Sequence, residues 1–416
     1  MSHSTSDHPN RVAVRITKDA LRHVRSGHPW VFDASVLNVK PPGRSGDLAV
    51  VFDDRRKFAA IGLWDSDSPI RIRVLHQGAP TPIDDDFWRG LFGAALERRR
   101  ELWASDTTNA YRWVHGENDG VPGLVVDRYA QVAVVKLYSS AWLPHLSSVV
   151  AALRTVAADH GVPLTAGVVR LARSVAGGSR TGDGADLADG DTLFGDVGDG
   201  VVEFVEHELV FDADVVRGQK TGHFLDQRDN RMRARDVARG KRVLDVFCCT
   251  GGFSVHAAAG GATFVHSVDL SPHAIRATER NMARNRDRPE VGACTHQTTV
   301  GDAYDVMQRM AQRGSTFDVV VVDPPSFAVR AEQVPSALKA YARLTDLAVR
   351  LLSPQGTLVQ ASCSARVDAP TFERVVRTSA AAAGRPLRAV RTFGHAVDHP
   401  IGFAQGDYLC AVVATA

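Results

Sequence analysis

The first part of the chain alternates between apolar and polar residues in short runs. Four such runs, RVAVRI, DLAVVFD, KFAAIGLW and IRIRVL, lie between Arg11 and Leu75 and are separated by Gly, Pro, Asp and Ser. Alternation with a period of two predicts strands with one buried face, and the separating residues are typical of turns. The pattern therefore predicts a small all-β domain.

The next segment mixes helical and strand periodicity. DDFWRGLFGAALERRRELW has apolar residues at helical spacing, and the β-type runs VPGLVVDRY and QVAVVKLYS follow it. A helix predicted over residues 143–160 and a strand near 164–171 complete an α+β segment. Residues 174–200 are rich in Gly and Asp, which predicts a loop or hairpin and a domain boundary.

After residue 200 the pattern changes. The apolar runs RVLDVFC, ATFVHSVDL, FDVVVVDPP and GTLVQASCS alternate with helical stretches near 253–260, 272–285, 334–352 and 371–384. This alternation predicts a parallel sheet with helices on both faces. Because ligands of such sheets bind at the carboxyl ends of the strands, the residues after each apolar run form the candidate site.

Composition and charge narrow the class of protein. The 416 residues are 44% hydrophobic and 23% charged, with 49 Lys and Arg against 47 Asp and Glu. These values exclude a disordered or fibrous protein, and any surface that binds nucleic acid must be local. Five cysteines without metal-ligand spacing favour a reducing compartment. With no run of about 18 apolar residues and no secretory signal, we expect a cytoplasmic protein that does not enter a membrane.

The first strand of this parallel sheet ends in a turn that contains two glycines. The residues after Asp245 and Val246 read FCCTGGF, and glycine there lets a ligand approach the backbone closely. Asp269 follows the second strand, where a carboxylate can accept hydrogen bonds from both hydroxyls of a ribose. A glycine pair is also found in ordinary tight turns, and a nicotinamide-dependent enzyme is a second interpretation of this region alone.

Two prolines interrupt the next apolar run directly after Asp323. Because proline cannot continue a central strand, the chain must turn there, which places Asp323 at the carboxyl edge of the sheet. Cys363 follows a later strand, between two serines. The sequence thus predicts an acid and a thiol at one ligand-binding edge.

The motifs LDVFCCTGGFSVHAA, VDLS, GDAYD, VDPPSF and SCS resemble, in this order, class I S-adenosylmethionine-dependent methyltransferases that modify nucleic-acid bases. With GHPWVF, YRWVHGENDGVPGLVVDRY, GQKTGHFLDQRDNR and DHPIGF, the chain is similar to the PUA-domain family of bacterial large-subunit rRNA cytosine-C5 methyltransferases. The resemblance implies an α/β protein of three domains. These are an all-β PUA domain over residues 1–76, a β-β-α-β-β domain over 77–200 and a Rossmann-like methyltransferase domain over 201–416.

The resemblance also implies roles for individual residues. The cofactor-binding residues would be Phe224, Gln227, Arg228, Asp245, Phe247, Gly251, Asp269, Leu270, Asp302 and Asp323. The residues facing the target base would be Pro324, Pro325, Ser326 and Phe327, and the catalytic pair would be Cys363 and Asp323. The implied cofactor is S-adenosylmethionine and the implied partner is large-subunit rRNA. No metal is expected, and the resemblance leaves open whether the protein is a homodimer.

A thiol is what methylation of cytosine C5 requires. C5 is a poor nucleophile, and addition of a thiolate to C6 makes an enamine whose C5 can attack a methyl sulfonium, after which a base removes the C5 proton. Cys363 matches the family's nucleophile, and Asp323 is expected to hydrogen bond the N3 edge of the base. Many members carry Lys or Ala at the position of Ser326, so a catalytic amine is not available there.

Other interpretations use the same scaffold. A guanine-N7 or other nitrogen methyltransferase needs no thiol, and Cys363 argues against it. The acids Asp245, Asp269 and Asp302 argue against a non-enzymatic RNA-binding or ribosome-assembly factor. Residues 228–242, RDNRMRARDVARGKR, hold seven basic residues against two acids and predict either a phosphate-binding or a solvated helix face. We expect Trp30 in the core of the small β domain.

Overall fold

The computed structural model describes residues 10–176 and 186–416, so part of the loop expected over 174–200 lies outside the described residues. The chain forms two compact units. The first consists of the described residues up to Phe204 with Ala213–His223 and Asp398–Phe403, and the second of Val205–Asp212, Phe224–Val397 and Ala404–Ala416.

The strands of the described residues are β1 (Arg11–Ile16), β2 (Trp30–Phe32), β3 (Val36–Lys40), β4 (Leu48–Phe52), β5 (Phe58–Trp64), β6 (Ile70–Gln77), β7 (Ala110–His115), β8 (Leu124–Tyr129), β9 (Val132–Leu137), β10 (Ala166–Leu171), β11 (Thr192–Phe194), β12 (Val201–Glu206), β13 (Leu209–Asp214), β14 (Arg242–Val246), β15 (Phe264–Asp269), β16 (Thr295–Val300), β17 (Phe317–Val322), β18 (Leu352–Ser362), β19 (Arg388–Phe393) and β20 (Cys410–Thr415). The helices are α1 (Lys18–Arg25), α2 (Asp85–Glu97), α3 (Arg100–Trp103), α4 (Leu146–Asp159), α5 (Arg228–Asp236), α6 (Gly252–Ala259), α7 (Pro272–Arg284), α8 (Pro289–Ala293), α9 (Ala303–Gln312), α10 (Val334–Leu351) and α11 (Ala369–Ala382).

The first unit begins with a six-stranded sheet in the order β2-β6-β5-β4-β1-β3. Strands β1, β4, β5 and β6 are those that the alternating pattern predicts, and β1 buries every second residue. A short helix that the pattern did not predict, α1, follows β1. Its N-cap residue, Thr17, accepts a hydrogen bond from Ala20 N at 3.3 Å. The expectation for Trp30 is wrong. Its indole is half-buried and lies outside the core cluster of this sheet. There Nε1 donates to Glu117 Oε1 over 2.9 Å, and the ring packs edge-on against Phe403.

A second sheet in this unit has the order β11-β10-β9-β8-β7. One strand more than expected, β7, precedes helix α4. The alternation test misses β7 because five of its six residues are buried, so the strand lacks a polar face. One apolar cluster joins Leu63 and Leu75 of the first sheet to Trp88, Trp113 and Trp142. The segments on either side of the domain boundary expected after residue 76 therefore share one apolar core. The division into domains over residues 1–76, 77–200 and 201–416 stays a prediction.

The second unit is built on a seven-stranded sheet in the order β16-β15-β14-β17-β18-β20-β19. Strands β14 to β18 are parallel, and β20 runs antiparallel to β18. Each of the first four parallel strands is followed by a helix, which confirms the predicted α/β alternation. The sequence pattern missed β16 and α9, since THQTTV has no apolar face and is partly exposed. The carboxyl ends of the five parallel strands meet at one edge, where the expected site residues lie.

Candidate active site

Asp245 lies fully buried one residue before the end of β14. Its Oδ2 accepts a hydrogen bond from Ser254 Oγ over 2.6 Å, and Ser254 Oγ lies 2.7 Å from Ser267 Oγ. Burial raises the pKa of Asp245 to about 7, while the hydrogen bonds from Ser254 oppose the rise. Its charge therefore changes near neutral pH.

The turn after β14 has an unusual backbone. Phe247, Cys249 and Gly251 have positive φ angles of 64°, 50° and 79°. A Cβ on Gly251 would come within 2.5 Å of Thr278 Cγ2, so packing against α7 requires glycine there. The positive φ angles turn the chain sharply into α6, whose amino end lies at the site edge.

Asp269, the last residue of β15, is held by the backbone. Its Oδ2 accepts from Cys249 N at 3.0 Å and its Oδ1 from Ser271 N at 2.9 Å. Leu270, which follows it, is 69% exposed, and Val300 at the end of the paired strand β16 is 50% exposed. A fixed carboxylate beside exposed apolar side chains fits a nucleoside, whose ribose needs an acceptor and whose purine needs an apolar surface.

Asp302 caps helix α9 directly after β16. Its Oδ1 accepts from Asp305 N at 3.2 Å, and its side chain is exposed. Asp245, Asp269 and Asp302 thus lie at the ends of three neighbouring strands. This arrangement fits S-adenosylmethionine, since the accessible carboxylates of Asp269 and Asp302 can bind hydroxyl and amino groups of this ligand, while the buried Asp245 supports the turn beneath them.

The segment that precedes α5 reaches the same edge. Gln227 Nε2 donates to Asp323 Oδ1 over 2.9 Å, and Asn230 Nδ2 donates to Gln227 Oε1 over 2.6 Å. Because both ends of the Gln227 amide are bonded, its orientation is fixed. Phe224 O accepts from Arg231 Nη1 at 2.8 Å. The sequence predicted Phe224, Gln227 and Asp323 individually, whereas their contacts and Asn230 were missed, since no spacing rule connects them.

The expected basic face of residues 228–242 does not include all of its seven basic residues, and the expectation is wrong for two of them. Arg231 donates twice to the carboxylate of Glu206, over 2.7 and 2.6 Å, and is 2% exposed. Arg228, 1% exposed, has its Nε 3.9 Å from Glu206. His256 Nε2 lies 3.1 Å from the same carboxylate. Two of the arginines therefore belong to a buried ion cluster, and a role of Arg228 toward the cofactor stays a prediction.

The proposed nucleophile and the base-facing loop lie together. Cys363 Sγ donates to Pro324 O over 3.6 Å. Cys363 follows β18, Pro324 follows β17, and these two strands are paired. Pro324 is buried, Cys363 is half-buried, and Pro325 and Ser326 are exposed. The Phe327 ring lies 5.1 Å from the ring of Tyr341 on α10. A thiol and exposed loop residues at one edge can contact a flat ring.

Three histidines of the described residues, His223, His395 and His399, have structural partners. His399 Nδ1 lies 3.0 Å from Asp398 Oδ1 in the first unit, and His395 Nε2 accepts from Leu409 N at 3.2 Å in the second. His223 N donates to Tyr129 Oη over 3.1 Å. Within residues 10–176 and 186–416, no group of three His, Cys, Asp or Glu side chains is placed to hold a metal ion. In the same ranges no helix is both long and apolar enough to cross a membrane.

The chain is similar to known proteins in sequence and in fold. A family profile described as S-adenosylmethionine-dependent methyltransferase matches residues 190–387, and one described as PUA-like domain matches residues 14–77. The solved structure of a protein described as a SAM-dependent methyltransferase from Streptococcus mutans superposes with a TM-score of 0.80 at 20% identity, covering 97% of this chain and 100% of that one. A methyltransferase crystallised with S-adenosylhomocysteine superposes with a TM-score of 0.79.

Two relatives are similar over nearly the whole chain. The ribosomal RNA large subunit methyltransferase of Deinococcus radiodurans is 44% identical over 416 residues, 99% of either chain. Ribosomal RNA large subunit methyltransferase I of Shewanella amazonensis is 35% identical over 393 residues, 93% of this chain and 95% of that one. The protein is thus an S-adenosylmethionine-dependent methyltransferase with a PUA-like domain, which confirms the expected fold class and cofactor. More narrowly, the chain belongs to the family of ribosomal RNA large subunit methyltransferases.

Proposed function

We propose that the protein methylates C5 of a cytosine in large-subunit (23S) rRNA, with Cys363 as the nucleophile. The observation that supports this most is the thiol of Cys363 next to Pro324, at the ends of adjacent strands on the edge that also carries Asp323. A nitrogen methyltransferase needs no thiol at this place, because a ring nitrogen or amine attacks directly. The substrate class follows from the relatives, whose names specify large-subunit rRNA.

The acidic strand ends bind the cofactor in this proposal. When bound, S-adenosylmethionine supplies the electrophilic methyl group that C5 attacks. Asp269 would accept hydrogen bonds from the ribose hydroxyls, Asp302 would bind on the adenine side, and Leu270 would supply apolar surface. Asp245 and the turn with Phe247 and Gly251 would shape the floor of the site, and Phe224, Gln227, Arg228 and Asp323 would flank the cofactor.

Cys363 and Asp323 activate the base. The Sγ thiolate adds to C6, so that the C5–C6 electron pair becomes available at C5, while Asp323 in its protonated form donates a hydrogen bond to N3 and stabilises the negative charge that develops there. After C5 has been methylated, a base removes its proton, the C5–C6 double bond reforms, and the Sγ–C6 bond breaks to release the thiolate. Gln227 holds Asp323 for this role, and Pro324, Pro325, Ser326 and Phe327 contact the ring.

The RNA must present an unstacked cytosine. A thiol cannot reach C6 of a base inside a stacked helix, so the target is extruded or already single-stranded. The PUA-like domain contacts structured RNA by shape. The proposed division is residues 1–76 for this domain, 77–200 for the central domain and 201–416 for the methyltransferase domain. Equal methylation of a perfect duplex and of a loop would contradict base extrusion.

The experiment is mass spectrometry of nucleosides from the large-subunit rRNA of a deletion strain and its parent. We expect the loss of one 5-methylcytidine, restored by the wild-type gene and by Cys294→Ala but not by Cys363→Ala. Cys294 is a matched control because it is half-buried and lies before β16, away from the carboxyl edge. Unchanged 5-methylcytidine with another methylated base missing would instead identify a nitrogen methyltransferase.

A further inference from the structure

A group of buried hydroxyls lies behind the loop that carries Cys363. Ser362 Oγ donates to Tyr341 Oη over 2.8 Å, and Tyr341 Oη lies 3.1 Å from Ser364 Oγ. All three side chains are at most 1% exposed. One phenol on α10 therefore contacts the residues on both sides of the thiol.

The same hydroxyls reach the loop after β17. Ser364 Oγ accepts from Ala328 N at 3.3 Å and lies 3.1 Å from Ser326 Oγ. Cys363 Sγ itself donates to Pro324 O in that loop. The thiol-bearing loop and the base-facing loop are thus joined by three hydrogen bonds, and Tyr341 contacts Ser364, which makes two of them.

These hydroxyls can form one continuous chain of hydrogen bonds. Ser362 gives its proton to Tyr341, so Tyr341 can donate to Ser364, and Ser364 in turn can donate to Ser326, since each hydroxyl has one proton and two acceptor sites. Burial raises the pKa of Tyr341, so the phenol stays protonated over the working pH range. The chain of hydroxyls therefore connects the two residues beside Cys363 to the exposed Ser326.

We infer that Tyr341 is a positioning residue for Cys363. The Tyr341 hydroxyl holds the thiol in a fixed position relative to the loop of Pro324 and Ser326. The inference rests on the proposed function, because it assumes that Cys363 attacks the base. Tyr341 is buried and takes no part in the chemistry itself. Since a misplacement of about 1 Å can cost a factor of about 100 in rate, a single hydroxyl behind the thiol can control turnover.

The test compares Tyr341→Phe with Tyr304→Phe in the full-length protein. Tyr304 is a matched control, because it lies on α9 under the Arg343 guanidinium, 4.5 Å from the ring centre. For Tyr341→Phe we expect kcat on large-subunit rRNA from the deletion strain to fall about 10- to 100-fold, with KM for RNA and Kd for S-adenosylmethionine within about twofold. Iodoacetamide should also alkylate Cys363 at least about threefold faster, since a less restrained loop exposes the thiol.

A second variant keeps the inference testable if Tyr341→Phe does not fold. Ser364→Ala removes the next hydroxyl, and we expect the same loss of kcat and faster alkylation, with no further loss in the double variant because both groups act through one chain. If both variants match Tyr304→Phe in kcat and alkylation rate while Cys363→Ala is inactive, the inference is wrong. If Cys363→Ala keeps its turnover, the proposed function fails instead.

Discussion

The two halves of the parallel sheet end in different chemistry. Strands β14, β15 and β16 each have a carboxylate at or near the carboxyl end, namely Asp245, Asp269 and Asp302. Backbone N–H groups and the Ser254 hydroxyl hold these carboxylates in place. Strand β17 is followed by Asp323, which an amide holds, and β18 is followed by Cys363, whose two chain neighbours belong to a chain of neutral hydroxyls. We call these the cofactor half and the catalytic half.

The difference follows from what each half must do. Binding the hydroxyls and amine of a nucleoside needs fixed acceptors, which carboxylates with bonded backbones provide. A nucleophilic thiol needs different surroundings, because each neighbouring negative charge raises the pKa of a thiol. In the catalytic half Asp323 follows β17, whereas the other three expected carboxylates, Asp245, Asp269 and Asp302, lie at the strands of the cofactor half.

The largest effect that tests this comparison concerns the stability of the cofactor half. The pKa of Asp245, about 7, is raised above its unfolded value, so its contribution to stability is present below about pH 4 and is lost as the pH rises through 7. Asp245→Asn cannot ionise. We expect its free energy of unfolding, relative to wild type, to increase by up to about 4 kcal/mol between pH 4 and pH 8. Urea unfolding at several pH values measures this, and a difference independent of pH would refute it.

The next effect concerns ligand affinity. Asp269→Ala removes a carboxylate proposed to accept two hydrogen bonds from the ribose, so we expect Kd for S-adenosylmethionine to rise about 100-fold. The alkylation rate of Cys363 should not change, because Asp269 belongs to the other half. Calorimetry with the cofactor and mass spectrometry of alkylated peptides test the two statements. An unchanged Kd would remove Asp269 from the cofactor site.

A smaller effect tests the amide in the catalytic half. Gln227→Glu would place a second carboxylate against Asp323, where the wild-type amide donates over 2.9 Å. Because like charges disfavour ionisation, the pKa of Asp323 should rise, and the limb of the kcat profile that reports it should move to higher pH by about one unit or more. Gln227→Leu is the uncharged control and should not produce this shift. Identical profiles for both variants would show that Asp323 does not control the rate.

The edge of the sheet could be predicted from the sequence because it depends on local rules. Apolar runs locate the strands, and prolines or glycines mark their ends, so that Asp245, Asp269, Asp323 and Cys363 are assigned to one edge. The pairing of Tyr341 with residues on both sides of Cys363 could not be predicted. Helical periodicity indicates only that Tyr341 is buried, and its hydrogen bonds depend on how α10 packs on the sheet.

The buried arginines show the same limit. Seven basic residues in one stretch suggest an exposed surface when charge is the only information. Their environment depends on Glu206, which lies on the preceding hairpin and accepts from Arg231 inside the second unit. A buried acid of this kind neutralises basic residues without any signal in the local sequence. A run of basic residues therefore predicts a nucleic-acid-binding surface poorly where the helix that carries it packs against another element.

The central claim is that Cys363 forms a covalent bond to C6 of a cytosine. Large-subunit rRNA fragments that contain 5-fluorocytidine test it, since fluorine at C5 prevents the final elimination and the adduct persists. With S-adenosylmethionine present, we expect intact mass spectrometry to show a protein–RNA adduct for the wild type and for Cys294→Ala, and digestion to locate it on Cys363. Methyl transfer to the RNA by the Cys363→Ala variant, with no adduct in any variant, would contradict the account.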